Sequence, residues 1–310
     1  MDSHVVNPAS VCSSQQGERM RCGCAGHSRR WFTGALLFAS VVPGAARAQP
    51  MPECKRSSFT KMVSAQQIEQ AANQQYRQML QQASSQKALG PKDHPQVVRL
   101  RAISQRIIPY TAQCNPDAEH WQWEVNLLGS QELNAFCMPG GKIAFYYGIL
   151  SKLQLSDDEV AQIMGHEISH ALLEHARERM GKTAATQLGI GIGAALLGLG
   201  SGGRALGDLG GQLLTLSFSR EDESEADGLG LVLAAKAGYN PQAGVTLWQK
   251  MLAASKGAPP QFLSTHPSGE TRIRDIQAKL PRVEPIYAAA EKPPQRFGPP
   301  TPKAASNPSS

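Results

Sequence analysis

Hydrophobic and polar positions change period several times along the chain, and each change marks an element. From Ser64, a residue type that caps helix N-termini, to Lys87 the chain is rich in Gln and Ala, which predicts a helix that Leu89-Gly90-Pro91 stops. Val97, Leu100, Ile103 and Ile107 share one helical face and predict a second helix from Pro95 to Ala112. The period then falls to two. Trp121, Trp123, Val125 and Leu127 alternate with His120, Gln122, Glu124 and Asn126, the pattern of a half-buried strand. Asn134–Met138 and Lys142–Tyr147 flank Pro139-Gly140-Gly141 and read as a bent strand pair. Ser156-Asp157-Asp158-Glu159 is a capping box that opens a helix running to about Met180. Later helices are expected to start at Asn240-Pro241 and at Pro267-Ser268.

Two segments stand apart. From Gly189 to Gly211, ten of 23 residues are Gly among Leu, Ile and Ala. So poor a helix former reads as a mobile apolar loop or loose helix near the functional site, with an embedded span as the alternative; peripheral membrane association is a separate expectation for the protein. The Pro-rich residues 286–310 predict a disordered tail.

The N-terminus reads as an address. Arg29-Arg30 precedes 16 uncharged residues, Trp31 to Ala46, whereas a membrane span needs roughly 20. Ala46-Arg47-Ala48 then supplies the small-x-small pattern of a signal-peptidase site. Residues 1–48 are therefore expected to be a signal peptide with an N-terminal extension, similar to the twin-arginine type and removed after Ala48, which makes the periplasm the destination. Residues 49–285 form the expected folded domain. Of the six Cys, Cys12, Cys22 and Cys24 leave with the leader. The odd remainder suggests one disulfide and one thiol in an oxidising compartment; Cys54–Cys114 is preferred, because Cys137 falls in a strand. Charge argues against nucleic acid as a partner. The net of +6 owes half to the leader, where five Arg face Asp2 and Glu18, and no basic run remains beyond it.

Candidate chemistry begins at His166-Glu167-Ile168-Ser169-His170, ten residues into the capped helix. His166 and His170 lie one turn apart on one face, where two imidazoles can share a zinc ion, and Glu167, about 100° round the axis, can reach a water beside the metal. A third protein ligand is required. His175, five residues past His170, is on the wrong side of the helix, and Leu173 and Ala176 close the extended histidine motif of another zinc-protease class. Glu223-Ser224-Glu225-Ala226-Asp227 offers Glu223 and Asp227 one turn apart: one could ligate the metal while the other accepts the free N–H of a liganding histidine. The same residues also fit an exposed acidic helix start.

In their order, His166-Glu-Ile-Ser-His170, Glu223-Ser-Glu-Ala-Asp227, Asn134-Ala-Phe-Cys-Met-Pro-Gly-Gly141 and Thr265-His-Pro-Ser268 with Arg272 resemble peptidase family M48 over roughly residues 60–280. That resemblance implies an α+β fold of the gluzincin type, a mostly helical domain with a small β-sheet beside the active-site helix. It also implies one Zn²⁺ held by His166, His170 and Glu223, with Glu167 as catalytic acid/base and Asp227 as the partner of a liganding histidine. The members it most resembles are periplasmic and act on outer-membrane or misfolded proteins. The expected function is zinc-dependent endopeptidase activity on unfolded or extended envelope polypeptides in quality control; a chaperone-like module using the same groove is the alternative. Asn134, Ala135 and Phe136 would pair with extended substrate through the backbone. His266, Arg272 and Tyr146 are candidates for stabilising the oxyanion, and His266 is also a candidate cap over the zinc.

Overall fold

The structure, a computed structural model, describes residues 54–189, 211–255, 261–266 and 270–301. The leader, the core of the Gly-rich segment and Pro267-Ser268 lie outside the described residues, as do the expectations that fall on them.

Helix α1 (Ala65–Ser85) starts where Ser64 accepts from the Gln67 backbone N–H. Helix α2 (Pro95–Ile107) ends with its apolar stripe, short of the expected Ala112. Pro109 has no N–H to continue the ladder, so Ile108–Gln113 tightens into a 3-10 turn. Three strands follow: β1 (Glu124–Leu128), β2 (Ala135–Met138) and β3 (Lys142–Tyr146). Their order is β1-β3-β2, with β1 parallel and β2 antiparallel to β3. The first strand begins at Glu124 rather than Trp121 because its partner begins only after the turn at Gly140 and Gly141, both at positive φ. A Cβ on Gly141 would stand 2.8 Å from the Trp123 ring. Tyr76 ties α1 to the sheet, donating to the Ile143 carbonyl at 2.6 Å.

After a short helix α3 (Tyr147–Lys152), the capping box opens α4 (Asp157–Leu172) as expected. It does not run to Met180. Glu174 adopts φ 59°, Asn115 donates to the Leu172 carbonyl, and α5 (His175–Gly189) departs in a new direction. Neither Gly nor Pro marks that break, so the local sequence conceals it. A second capping box, Ser219 with Asp222, opens α6 (Arg220–Lys236). Helices α7 (Ala243–Ala254), α8 (Gln261–Thr265) and α9 (Glu270–Ala289) complete the order, α9 continuing through Pro281 and Pro285.

The main core lies between α2, the sheet, α4, α6, α7 and α9, with Phe145, Ile163, Ile168, Leu233 and Met251 among its members. At its centre α4 and α6 cross with their backbones in contact. A Cβ on Gly165 would stand 2.7 Å from the Gly230 carbonyl oxygen, and one on Gly230 would stand 2.7 Å from the His166 nitrogen. Cys54 and Cys114 are joined by a disulfide, and Cys137 is a buried thiol.

The Pro-rich segment departs from its expected disorder as far as residue 301. Phe297 and Gly298 donate backbone N–H groups to Asp157 at 2.7 and 3.1 Å, Arg296 pairs with Asp158 at 2.9 Å, and Arg106 donates to the Glu291 carbonyl. Composition predicts disorder because the segment has little apolar surface; it is held instead by polar groups at the N-terminus of α4 and by Arg106 on α2. Among the described residues no helix is long and apolar enough to cross a membrane.

Candidate functional site

Helix α4 carries His166, Glu167 and His170, and α6 carries Glu223 and Asp227; the Gly165–Gly230 crossing sets the two groups face to face. All five side chains are buried. His166 Nε2 lies 3.0 Å from His170 Nε2 and 3.5 Å from Glu223 Oε2, and His170 Nε2 lies 3.4 Å from Glu223 Oε1. His266, just past α8, completes the cluster, its Nδ1 3.3 Å from His166 Nε2 and 2.9 Å from Glu223 Oε1. Ligand atoms around a tetrahedral zinc with bonds of about 2.0–2.1 Å stand roughly 3.3 Å apart. Four groups of suitable chemistry thus converge at that spacing, and the residues fit a zinc ion.

Electrostatics follow from burial and pairing. Burial pushes Glu223 up, but His266, His170 and His166 outweigh it and hold the carboxylate well below its usual range. Asp227 is likewise raised by burial and lowered further by Arg272 and His166, so that it stays ionised. It faces His166 Nδ1 at 3.0 Å, on the ring edge away from the cluster. Burial raises Glu167 and lowers His170 well below the usual imidazole range. Glu167 Oε1 stands 3.6 Å from His266 Nε2 and is, among the described residues, the buried side-chain polar atom without a hydrogen-bond partner.

The three oxyanion candidates fare differently. Arg272 Nε donates to Asp227 Oδ2 at 2.7 Å, its Nη2 to Asp227 Oδ1 at 2.8 Å and its Nη1 to Glu223, and its Cζ lies 3.6 Å from the centre of the Trp248 ring. It is bound to the two carboxylates of α6, and its Nη2 also lies 3.2 and 3.3 Å from His166 Nδ1 and Nε2. Tyr146 is half-buried against a smaller apolar cluster that includes Tyr76, Leu128 and Met138, edge-on to Phe136 with ring centres 6.4 Å apart. His266 alone of the three joins the cluster. The strand of Ala135 and Phe136 forms one edge of the sheet and packs on α4, with the Asn134 side chain accepting from the Ala135 N–H.

Two contacts escaped the sequence reading. Phe218 stacks on the His170 ring at 4.0 Å. His175, placed on the wrong side of α4 by the assumption of a continuous helix, lies 2.8 Å from His170 through the two Nδ1 atoms. Phe218 had a legible signal, since it immediately precedes the Ser219 capping box. For His175 no local signal exists.

Residues 94–280 match the sequence profile of peptidase family M48. The mitochondrial metalloendopeptidase OMA1 of Schizosaccharomyces pombe is 31% identical over 265 residues, which cover 82% of this chain and 73% of the yeast protein. Its Arabidopsis thaliana counterpart is 38% identical over 156 residues, 49% of this chain and 30% of its own length. The beta-barrel assembly-enhancing protease of Escherichia coli K12 is 30% identical over 176 residues, covering 54% of this chain and 36% of the bacterial protein. With the paired helices, the buried histidine–glutamate cluster and the family match in agreement, the chain belongs to peptidase family M48, the zinc metallopeptidases.

Proposed function

We propose that the mature chain is an endopeptidase acting on unfolded, misfolded or misassembled envelope proteins, with His166, His170 and Glu223 holding one zinc ion and Glu167 serving as acid/base. The observation that carries the proposal is the Oε1 of Glu167, buried beside the ligand cluster, 3.6 Å from His266 Nε2 and without a hydrogen bond. A buried carboxylate oxygen without a partner loses about 1–3 kcal/mol or more, an arrangement that persists where a ligand or water completes it. Bound zinc would supply Lewis acidity, making a neighbouring water more acidic and polarising the scissile carbonyl.

The remaining steps belong to the chain. Glu167, its proton affinity raised by burial, takes a proton from the attacking water and returns it to the leaving amine nitrogen. Asp227 accepts the His166 Nδ1–H and so keeps the Nε2 lone pair directed at the cluster. Arg272 holds Glu223 and Asp227 in register. The outer edge of β2 offers backbone groups to an extended substrate at Ala135, the Asn134 carbonyl being taken by the Tyr146 N–H on the inner side; such pairing depends little on side chains and so favours unfolded chains. His266, the fourth member of the cluster, would occupy the remaining position on a bound zinc in the resting enzyme and would have to turn away to admit substrate.

Export to the periplasm and a role in envelope quality control complete the proposal. They are supported by the leader-like residues 1–48 and by the similarity to a bacterial protease named for β-barrel assembly. The mitochondrial relatives make the compartment a property of this chain to be tested, not of the family. The test is casein cleavage with zinc by the mature chain and by Glu167→Gln prepared identically. Loss of about 10²–10⁴-fold in the variant is expected. Equal cleavage would remove Glu167 from the mechanism, and silence from both proteins with retained holding of unfolded outer-membrane proteins would favour the chaperone alternative.

A further inference from the structure

We infer that His175, backed by Glu225, is a positioning residue that fixes the tautomer and ring orientation of His170. The inference rests on the proposed role of His170 as a zinc ligand through Nε2. Five residues along an unbroken helix would place His175 about 140° round the axis from His170. The left-handed turn at Glu174 prevents this, because it ends α4 and starts α5 at His175, returning the imidazole beneath His170. There it is buried, with 1% of its surface exposed, and its Nδ1 lies 2.8 Å from His170 Nδ1. Its other nitrogen, Nε2, faces Glu225 Oε2 at 3.2 Å.

Two facing ring nitrogens at that distance require one proton between them. His170 Nε2 points into the ligand cluster, 3.0 Å from His166 Nε2 and 3.4 Å from Glu223. A metal there needs the Nε2 lone pair, so the proton of neutral His170 must reside on Nδ1 and be donated to His175 Nδ1. His175 is then protonated on Nε2 and donates to Glu225. The opposite arrangement would put a proton on His170 Nε2, where a metal must sit. Every proton in the chain His170–His175–Glu225 is thereby assigned. His166 is held directly by a buried carboxylate, Asp227; His170 is held by a relay whose carboxylate, Glu225, is about half exposed at 47%. Such outer partners are worth about 10–100-fold in metal affinity.

The experiment is a competitive zinc titration of the full chain against a chromophoric chelator, with the metal-free melting temperature recorded for each protein. His175→Leu is expected to weaken zinc binding by about 10–100-fold. His175→Asn, whose amide oxygen can stand near the Nδ1 position and accept from His170, should recover most of that loss, which a purely space-filling role would not predict. Glu225→Ala, at the surface end of the relay, should weaken zinc by several-fold with no change in the metal-free melting temperature, and it keeps the test open if His175→Leu fails to fold. Wild-type affinity in His175→Leu or in Glu225→Ala, or no recovery in a folded His175→Asn, would overturn the inference. His170→Ala separates the two levels: if it leaves zinc binding intact the ligand assignment itself is wrong, whereas if it abolishes binding while His175→Leu keeps wild-type affinity, only the relay is wrong.

Discussion

Substituting Gly230 by Ala tests whether the helix crossing builds the site. The new Cβ would meet the His166 nitrogen at 2.7 Å, the Gly165 carbonyl carbon at 2.9 Å and the His166 Cα at 3.0 Å. Ordinary carbon contacts start near 3.4 Å, so α6 must withdraw from α4 by roughly 0.5 Å, because the obstacle is backbone and no side chain can swing aside. Glu223 and Asp227 would move with α6, and His166 and His170 would stay with α4. A shift of that size exceeds the ~0.2 Å tolerance of metal–ligand distances and stretches the 3.0 Å contact of His166 with Asp227 beyond a hydrogen bond. Overpacking costs about 1–3 kcal/mol, and the better helix propensity of Ala returns about 1 kcal/mol, so the net loss of stability is about 0–2 kcal/mol. Activity is more sensitive: a misplacement approaching 1 Å can cost on the order of 10²-fold. Casein cleavage and zinc stoichiometry should therefore fall much further than thermal stability. Gly228→Ala on the same helix is the control, since its Cβ would meet only the Lys279 side chain at 3.5 Å; it should gain up to about 1 kcal/mol with activity unchanged. A Gly230→Ala protein with raised melting temperature and full cleavage would refute the reasoning, showing slack at the crossing.

Other outcomes follow from named contacts. His266→Ala should raise casein cleavage with zinc retained by the other three groups; unchanged or lower activity would count against the cap. Asp157→Asn leaves the guanidinium of Arg99, 2.6 Å away and fully buried, without its counter-charge, and should cost about 3–5 kcal/mol in urea unfolding. Truncation after Ala290 removes the Phe297 and Gly298 donors from Asp157 but spares Arg99, so a smaller loss is expected; equal losses would contradict that division. At high pH, burial raises the Tyr239 phenol to about 12 from the ordinary value of 10.0. Its contribution is complete below pH 10 and is lost as pH rises towards 12, since the unfolded chain releases the proton first. Tyr239→Phe should thus shift alkaline unfolding upward, and an unmoved midpoint would argue against it.

The sequence by itself determined the elements whose signals are local. The Ser64 cap, the Ser156 capping box, the Pro139-Gly140-Gly141 turn and the spacing of His166 with His170 each depend on residues within a turn or two of one another, and the structure places those elements there. Glu223 and Asp227 could be named but not separated from an exposed acidic helix start, because burial is a property of what packs above a helix. Tertiary structure decided that. It brought α6 onto α4 through two glycines and paired Asp227 with both His166 and Arg272. It also bent the chain at Glu174, where no Gly or Pro gives warning and a carbonyl cap comes from Asn115, far back in the sequence. The docking of the Pro-rich segment has the same origin, since its partners Asp157 and Asp158 lie some 140 residues earlier. Backbone propensity and spacing are written in neighbouring residues; the partners that satisfy a buried charge or an open carbonyl are chosen only when distant segments meet.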